Sequence, residues 1–125
     1  MRLLLDTHVV LWELSGSQRV SRAAQEAIEQ ATELLFSAVS FAEIGVKAAI
    51  GKLSVPHDLR EHVLRSGVKV LRLDADHGIA VASLPMHHRD PFDRLLIAQA
   101  RLEQLTIVSA DRRIADYDVP LVDAG

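Results

Sequence analysis

The sequence predicts an α/β fold whose sheet, of four or five strands, is mostly parallel. Two observations predict it. Short apolar runs of buried-strand type alternate with longer amphipathic stretches along the whole chain, the pattern that wraps helices around a parallel sheet. The 125 residues are 49% apolar and 25% charged, a profile for one hydrophobic core, and no Gly/Ser/Pro-rich linker, charged tail or fixed-period repeat divides them. Residues 1–125 are therefore expected to form a single domain.

The elements follow in order. Leu3-Leu4-Leu5 is the first strand, and His8 to Leu14 is amphipathic and ends at Ser15-Gly16-Ser17. Ser21 caps a helix through about Ala31, Leu34-Leu35-Phe36 is the second strand, and Ser40 opens a helix that stops near Gly51. Residues 57–66 form another helix before Gly67. Val68 to Leu73 alternates as a strand does, and Ala75 to Leu84 is helical up to Pro85. The helix after Asp90-Pro91 runs to about Gln104, because proline at the first helical position behind an aspartate cap is a strong start signal. Thr106-Ile107-Val108 is the fourth strand, a helical turn starts at Asp111, and Val119 to Val122 is a fifth strand.

Charge and composition exclude several functions. Fourteen Lys and Arg against 17 Asp and Glu give −3, which rules out a broadly basic protein that coats nucleic acid. With no cysteine, disulfides, Cys-based zinc sites, Fe–S clusters and thiolate nucleophiles are excluded. The N-terminal leucines meet Asp6 well before the ~7–15 apolar residues of a signal-peptide core or the ~20 of a membrane span, so cytoplasmic residence without a membrane partner is expected.

The carboxylates carry the functional signal. Ligands of parallel α/β sheets bind beyond the carboxyl ends of the strands. Asp6 follows the first strand directly, Glu43 lies in the first turn of the helix after the second, Asp111 follows the fourth after Ser109-Ala110, and Asp93 lies in the first turn of the Pro91 helix. Each like-charge pair at ~4 Å costs roughly 4 kcal/mol at an effective dielectric of about 20, so four acids on one edge call for cations. Oxygen donors with no Cys and no adjacent His favour Mg²⁺, with Mn²⁺ as substitute. Structural roles compete for the same residues. Asp6 is placed to cap the following helix, Ser40 and Glu43 form a capping-box pattern, Asp90 and Asp93 suit a helix N-terminus, and Asp111 suits a cap or turn. Joint placement at strand ends favours one acidic site.

Other polar residues give weaker signals. His87 and His88 adjoin, so their side chains diverge, and a surface loop is expected there; His57, His62 and His77 are expected to face solvent. Arg89, Arg94 and His8 flank the crevice as candidates for contacting substrate phosphates, and Glu43 with Lys47 also has ion-pair spacing. Trp12, Phe36, Phe41 and Phe92 are expected in the core.

Leu4-Leu5-Asp6-Thr7-His8-Val9-Val10-Leu11-Trp12, Ser40-Phe41-Ala42-Glu43 with Lys47, Asp90-Pro91-Phe92-Asp93-Arg94-Leu95-Leu96-Ile97-Ala98-Gln99-Ala100 and Ser109-Ala110-Asp111 together closely resemble the PIN-domain family, and within it the VapC-type toxins. The resemblance covers essentially the whole chain in order and spacing. It implies a PIN-like α/β/α sandwich and a metal-dependent endoribonuclease, the toxin of a toxin–antitoxin pair. The family's metal-binding and catalytic acids correspond to Asp6, Glu43, Asp93 and Asp111, with Thr7, Ser40, Ser109 and Asp90 as supporting polar groups. It further implies a homodimer, inhibited by a VapB-like antitoxin. The family's usual threonine two residues before the last acid is here Ser109, which keeps the hydroxyl. Two other functions fit less well. A phosphoacceptor signalling domain wants paired acids after the first strand and a lysine after the last, both missing here. A catalytically inactive PIN-like module would not need all four acids. Taking those four from the 17 acids leaves 13 against 14 bases, so the negative sign sits largely in the proposed site.

Overall fold

Successive strand residues point to opposite faces of a sheet, so the complete burial of Leu3, Leu4 and Leu5 requires apolar cover on both sides of the first strand. The computed structural model, which describes residues 1–125, shows that cover. Strands β1 (Arg2–Leu5), β2 (Glu33–Ser37), β3 (Lys69–Leu71), β4 (Thr106–Ser109) and β5 (Leu121–Asp123) form one sheet in the order β3-β2-β1-β4-β5, and every pairing is parallel. Leu3 and Leu5 enter a core with Val9, Ala24, Phe36 and Val63. Leu4 enters a second core, on the other face, with Leu35, Leu96, Ile97 and Ile107. The α/β/α sandwich is thus as expected, with five strands.

Six helices connect the strands: α1 (Thr7–Leu14), α2 (Arg22–Gln30), α3 (Ala38–Ala49), α4 (Leu59–Arg65), α5 (Ala75–Ala80) and α6 (Pro91–Glu103). A 3₁₀ turn over Val81–Ser83 extends α5, and another over Arg112–Asp116 follows β4. Ser21 Oγ caps α2 by accepting from the Ala24 amide, as its position predicts. Helix α6 starts as its sequence dictates: Asp90 accepts from the Phe92 and Asp93 amides, and Pro91 occupies the first turn. It ends at Gln104 in the left-handed region, φ 56°, where glycine is usual. No helix is long and apolar enough to cross a membrane.

Helix α3 departs from expectation. Its cap is Ser37, whose Oγ accepts from the Val39 amide, and the helix starts three residues before the expected Ser40 boundary. The predicted capping box does not form. Ser40 is buried inside the helix with Oγ unpartnered, and Glu43 falls in the second turn, where it faces other partners. Phe36 and Phe41 pack edge to face in the core at 5.0 Å between centroids, as expected of them.

Two histidines expected at the surface are buried. His77 closes a capping box with Asp74 at the start of α5: each residue's amide donates to the other's side chain. His88, unlike its exposed neighbour His87, is 3% exposed. The backbone around it is drawn inward by Arg94, which is also buried and is not the surface phosphate contact its position suggested. Its Nη2 donates to the Val81 and Leu84 carbonyls at the end of the 3₁₀ turn. Its Nη1 donates to the Pro85 and His88 carbonyls and the Tyr117 hydroxyl. Backbone carbonyls gathered around the guanidinium, from the 3₁₀ turn and the loop after it, satisfy this cation without a carboxylate. Arg94→Lys keeps the charge and loses the planar fork, so it is expected to cost about 2 kcal/mol or more, read as a lower urea midpoint. A variant as stable as the parent would show that the clamp contributes nothing.

Candidate active site

The strand order places the site. The chain steps outward from β1 through β2 to β3, then returns to the other side of β1 for β4, and the crevice of such a sheet opens where the order reverses. The residues just beyond β1 and β4 are Asp6 and the Ser109-Ala110-Asp111 segment. Asp6, Glu43, Asp93 and Asp111, the four acids singled out in the sequence, line one cleft of about 300 Å³, with Asp90 beside them.

Each acid is held from its own element. The Asp6 amide donates to the Val108 carbonyl, extending the β1–β4 ladder by one bond. Asp6 precedes α1, yet its side chain makes no capping bond; it accepts instead from Ser109 Oγ at 2.8 Å. Glu43 is buried and accepts from Thr7 Oγ1 at 2.8 Å and from Lys47 Nζ one turn along α3. Asp111 accepts from the Arg113 amide and is gripped by that guanidinium through Nε and Nη2. Asp90 remains a helix cap. Thr7 and Ser109 thus take the supporting places expected of them, whereas Ser40 makes no hydrogen bond to the cluster.

His88 is the residue the sequence reading missed. Its Nε2 lies 2.9 Å from Asp93 Oδ2 and 2.8 Å from Asp111 Oδ2, so a histidine stands beside the acids after all. The available signal was His88-Arg89-Asp90, a spacing that lets the ring fold back onto the Asp90 amide. Arg113 and Lys47 supply the cleft's cations, and Trp12, expected only in the core, is half-buried and also lines the cleft. Among the expected substrate contacts, His8 is exposed at the cleft and tilted against Trp12, and Arg89 is exposed on the adjoining loop outside the lining.

The electrostatics follow from burial and crowding. Burial pushes the Asp6 carboxyl above its ordinary value against the opposing bond from Ser109. Asp93 is pushed up to about 7, first by burial and then by repulsion from Asp6, Asp90 and Glu43. Burial also acts to raise Asp111, but the Arg113 bonds and His88 outweigh it and hold that carboxyl at about 2. Lys47 is held above its ordinary range, chiefly by its bond to Glu43. Five carboxylates against Lys47 and Arg113 leave an excess of negative charge, and a donor set dominated by oxygen, with His88 the one nitrogen beside it, fits a hard divalent cation.

A partly buried cluster of carboxylates at the switch point of a parallel sheet defines a class of cation-binding α/β domain, and comparison with known proteins gives the family. The model of the PIN domain matches residues 3–120, and the chain belongs to that family. Ribonuclease VapC22 of Mycobacterium tuberculosis (strain ATCC 25618 / H37Rv) is 35% identical, across 94% of this chain and 93% of that protein, which places the chain with the VapC proteins. The fold is shared with VapBC2 from Rickettsia felis, solved bound to a promoter DNA fragment (TM-score 0.72, 12% identity, all of both chains). It is shared also with FitAcB from Neisseria gonorrhoeae (TM-score 0.65, 16% identity, 97% and 96% of the chains).

The raised Asp93 has a consequence for stability. Between its ordinary value, near 3.8, and about 7, the folded protein holds a proton that the unfolded chain has released. Stability from this group therefore falls as pH rises through that window, and the penalty is complete above it. Asp93→Asn removes the penalty and keeps an acceptor for His88. In EDTA at pH 8 the variant is expected to melt several degrees higher, about 1–2 kcal/mol after allowance for solvent screening, with the gain gone near pH 4. Equal melting at both pH values would rule out the charge crowding.

Proposed function

We propose that this protein is a metal-dependent endoribonuclease, acting in the cytoplasm as the toxin of a toxin–antitoxin pair, with residues 1–125 as one catalytic domain. The observation that carries the proposal is the meeting of Asp6, Glu43, Asp93 and Asp111 in one cleft of a PIN domain 35% identical to a VapC ribonuclease. Asp6 and Asp93 would hold Mg²⁺, or Mn²⁺ in its place, with Glu43 and Asp111 completing or orienting the shell. The bound metal supplies an activated water and neutralises charge on the attacked phosphodiester. The chain's own residues do the positioning. Ser109 fixes one oxygen of Asp6, Thr7 and Lys47 fix both oxygens of Glu43, and Arg113 holds Asp111 ionised. His8, with Arg89 beside the cleft, would meet the RNA backbone. Water attack in line leaves a 5′-phosphate and a 3′-hydroxyl, without using the 2′-hydroxyl.

The partners follow the same reasoning. The structural neighbours include toxin–antitoxin complexes, which supports a VapB-like antitoxin as partner. An antitoxin arginine entering the carboxylate cluster would compete with metal for the same charge. Val46 of helix α3 and Ile50, the residue that caps its C-terminus, are 51% and 62% exposed, which supports a homodimer across that helix. Cleavage of RNA by the purified protein is expected to stop in excess EDTA and to return with Mg²⁺ or Mn²⁺. Asp6→Asn, with folding intact, is expected to lose at least a hundredfold in rate. The new ends should ligate to adaptors that demand a 5′-phosphate. Undiminished cutting in EDTA, or 2′,3′-cyclic phosphate ends, would sink the mechanism.

A further inference from the structure

We propose that His88 is a positioning residue that holds the Asp111 carboxylate beside that of Asp93 through its Nε2–H and does not itself ligate the metal. The inference rests on the metal-dependent nuclease reading and deepens it. The ring's hydrogen placement follows from its neighbours. The Asp90 amide donates to His88 Nδ1 at 3.1 Å, so Nδ1 is an acceptor and the ring hydrogen lies on Nε2. That hydrogen is donated to Asp111 Oδ2 at 2.8 Å, and Asp93 Oδ2 lies 2.9 Å from the same nitrogen. The three groups have the proximity of a metal triad. A ligating Nε2, however, would have to give up its hydrogen to Nδ1, where it would face the Asp90 N–H.

The surroundings are built to hold the ring. The His88 amide donates to the Tyr117 hydroxyl at 2.9 Å, and that hydroxyl donates on to the Pro85 carbonyl. The His88 carbonyl accepts from Arg94. Backbone and ring are thus fixed on three sides before the acids are reached. The consequence for Asp93 is directional: Oδ2 lies against the His88 ring nitrogen, while Oδ1 accepts no hydrogen bond from the chain and stays free for a cation.

Two substitutions separate the roles, because each keeps one end of the ring's bonding. His88→Gln keeps a donor at the reach of Nε2 and loses the acceptor for the Asp90 amide. His88→Asn keeps that acceptor and loses the donor to Asp111. Calorimetric titration with Mn²⁺ alone, beside RNA cleavage, is expected to show His88→Asn weakened at least tenfold in both, with His88→Gln within a few-fold of the parent. Mn²⁺ bound to the parent protein is expected to show no directly coordinated nitrogen by electron spin-echo modulation. The ¹⁵N shifts of the His88 ring in the parent protein should report hydrogen on Nε2 with and without Mg²⁺, a result that stands whether or not the variants fold. Unaltered Mn²⁺ binding in His88→Asn, a coordinated nitrogen, or hydrogen on Nδ1 would each overturn the proposal. Asp6→Asn is the control: if it binds Mn²⁺ and cuts RNA as the parent does, the nuclease reading of the cluster fails instead.

Discussion

Mutual repulsion of carboxylates gathered where β1 and β4 end is the constraint around which this molecule is arranged. Buried acids do not sit together unless each is given hydrogen donors or a counter-charge. The donors come from widely separated segments. Ser109 from β4 serves Asp6 just beyond β1, Thr7 of α1 serves Glu43 of α3, and His88 serves Asp111 and lies against Asp93 of α6. Each pairing joins elements that a parallel sheet brings to one edge, so sheet order and donor pattern are aspects of one arrangement. Lys47 and Arg113 offset part of the remaining charge, each from the same helix or turn as the acid it grips.

Arg94 extends that arrangement into the second layer of the fold. By collecting the carbonyls of Val81, Leu84, Pro85 and His88 it folds the segment between α5 and α6 back against Tyr117, and this brings His88 to the cleft. An arginine without a carboxylate partner is stable here because carbonyls of a 3₁₀ turn and of the loop that follows it converge on the guanidinium. The site's geometry therefore depends on a cation that touches none of the acids.

Much of this was legible in the sequence, for physical reasons that differ by element. Leu3-Leu4-Leu5 could only be a strand covered on both faces, and Asp90-Pro91 could only open a helix, since both signals are local. The α3 boundary was not local. Ser37 and Ser40 are both competent caps, and the Ser40/Glu43 spacing matched a capping box. The choice fell to Ser37 because β2 runs through to it and because Glu43 is taken by Thr7 and Lys47 across the fold. His88 and Arg94 were misjudged for a related reason. Their partners are backbone carbonyls and amides, or side chains far along the chain such as Tyr117 and Asp111, which no local pattern displays, and a polar residue whose counterparts are invisible in the sequence looks solvent-exposed. The four acids were legible because strand ends can be placed from apolar runs alone; their donors were not, apart from the hydroxyls of Thr7 and Ser109 and the i, i+4 ammonium of Lys47.

The same constraint explains why the acids carry such different burdens. Asp111 sits at the rim with an arginine fork and a histidine, and is held at about 2. Asp93, deeper and repelled by Asp6, Asp90 and Glu43, has only the His88 ring against one oxygen and is pushed up to about 7. A fold optimised for stability would neutralise Asp93 by a donor or an amide, as surrounding groups do for Asp111. Leaving it short of donors keeps free energy stored in the folded metal-free protein, and that energy is released only when positive charge enters the cleft. The residue least satisfied by the chain is thus the one best placed to take a cation, which makes the deficit a property of the site and not a flaw in the packing.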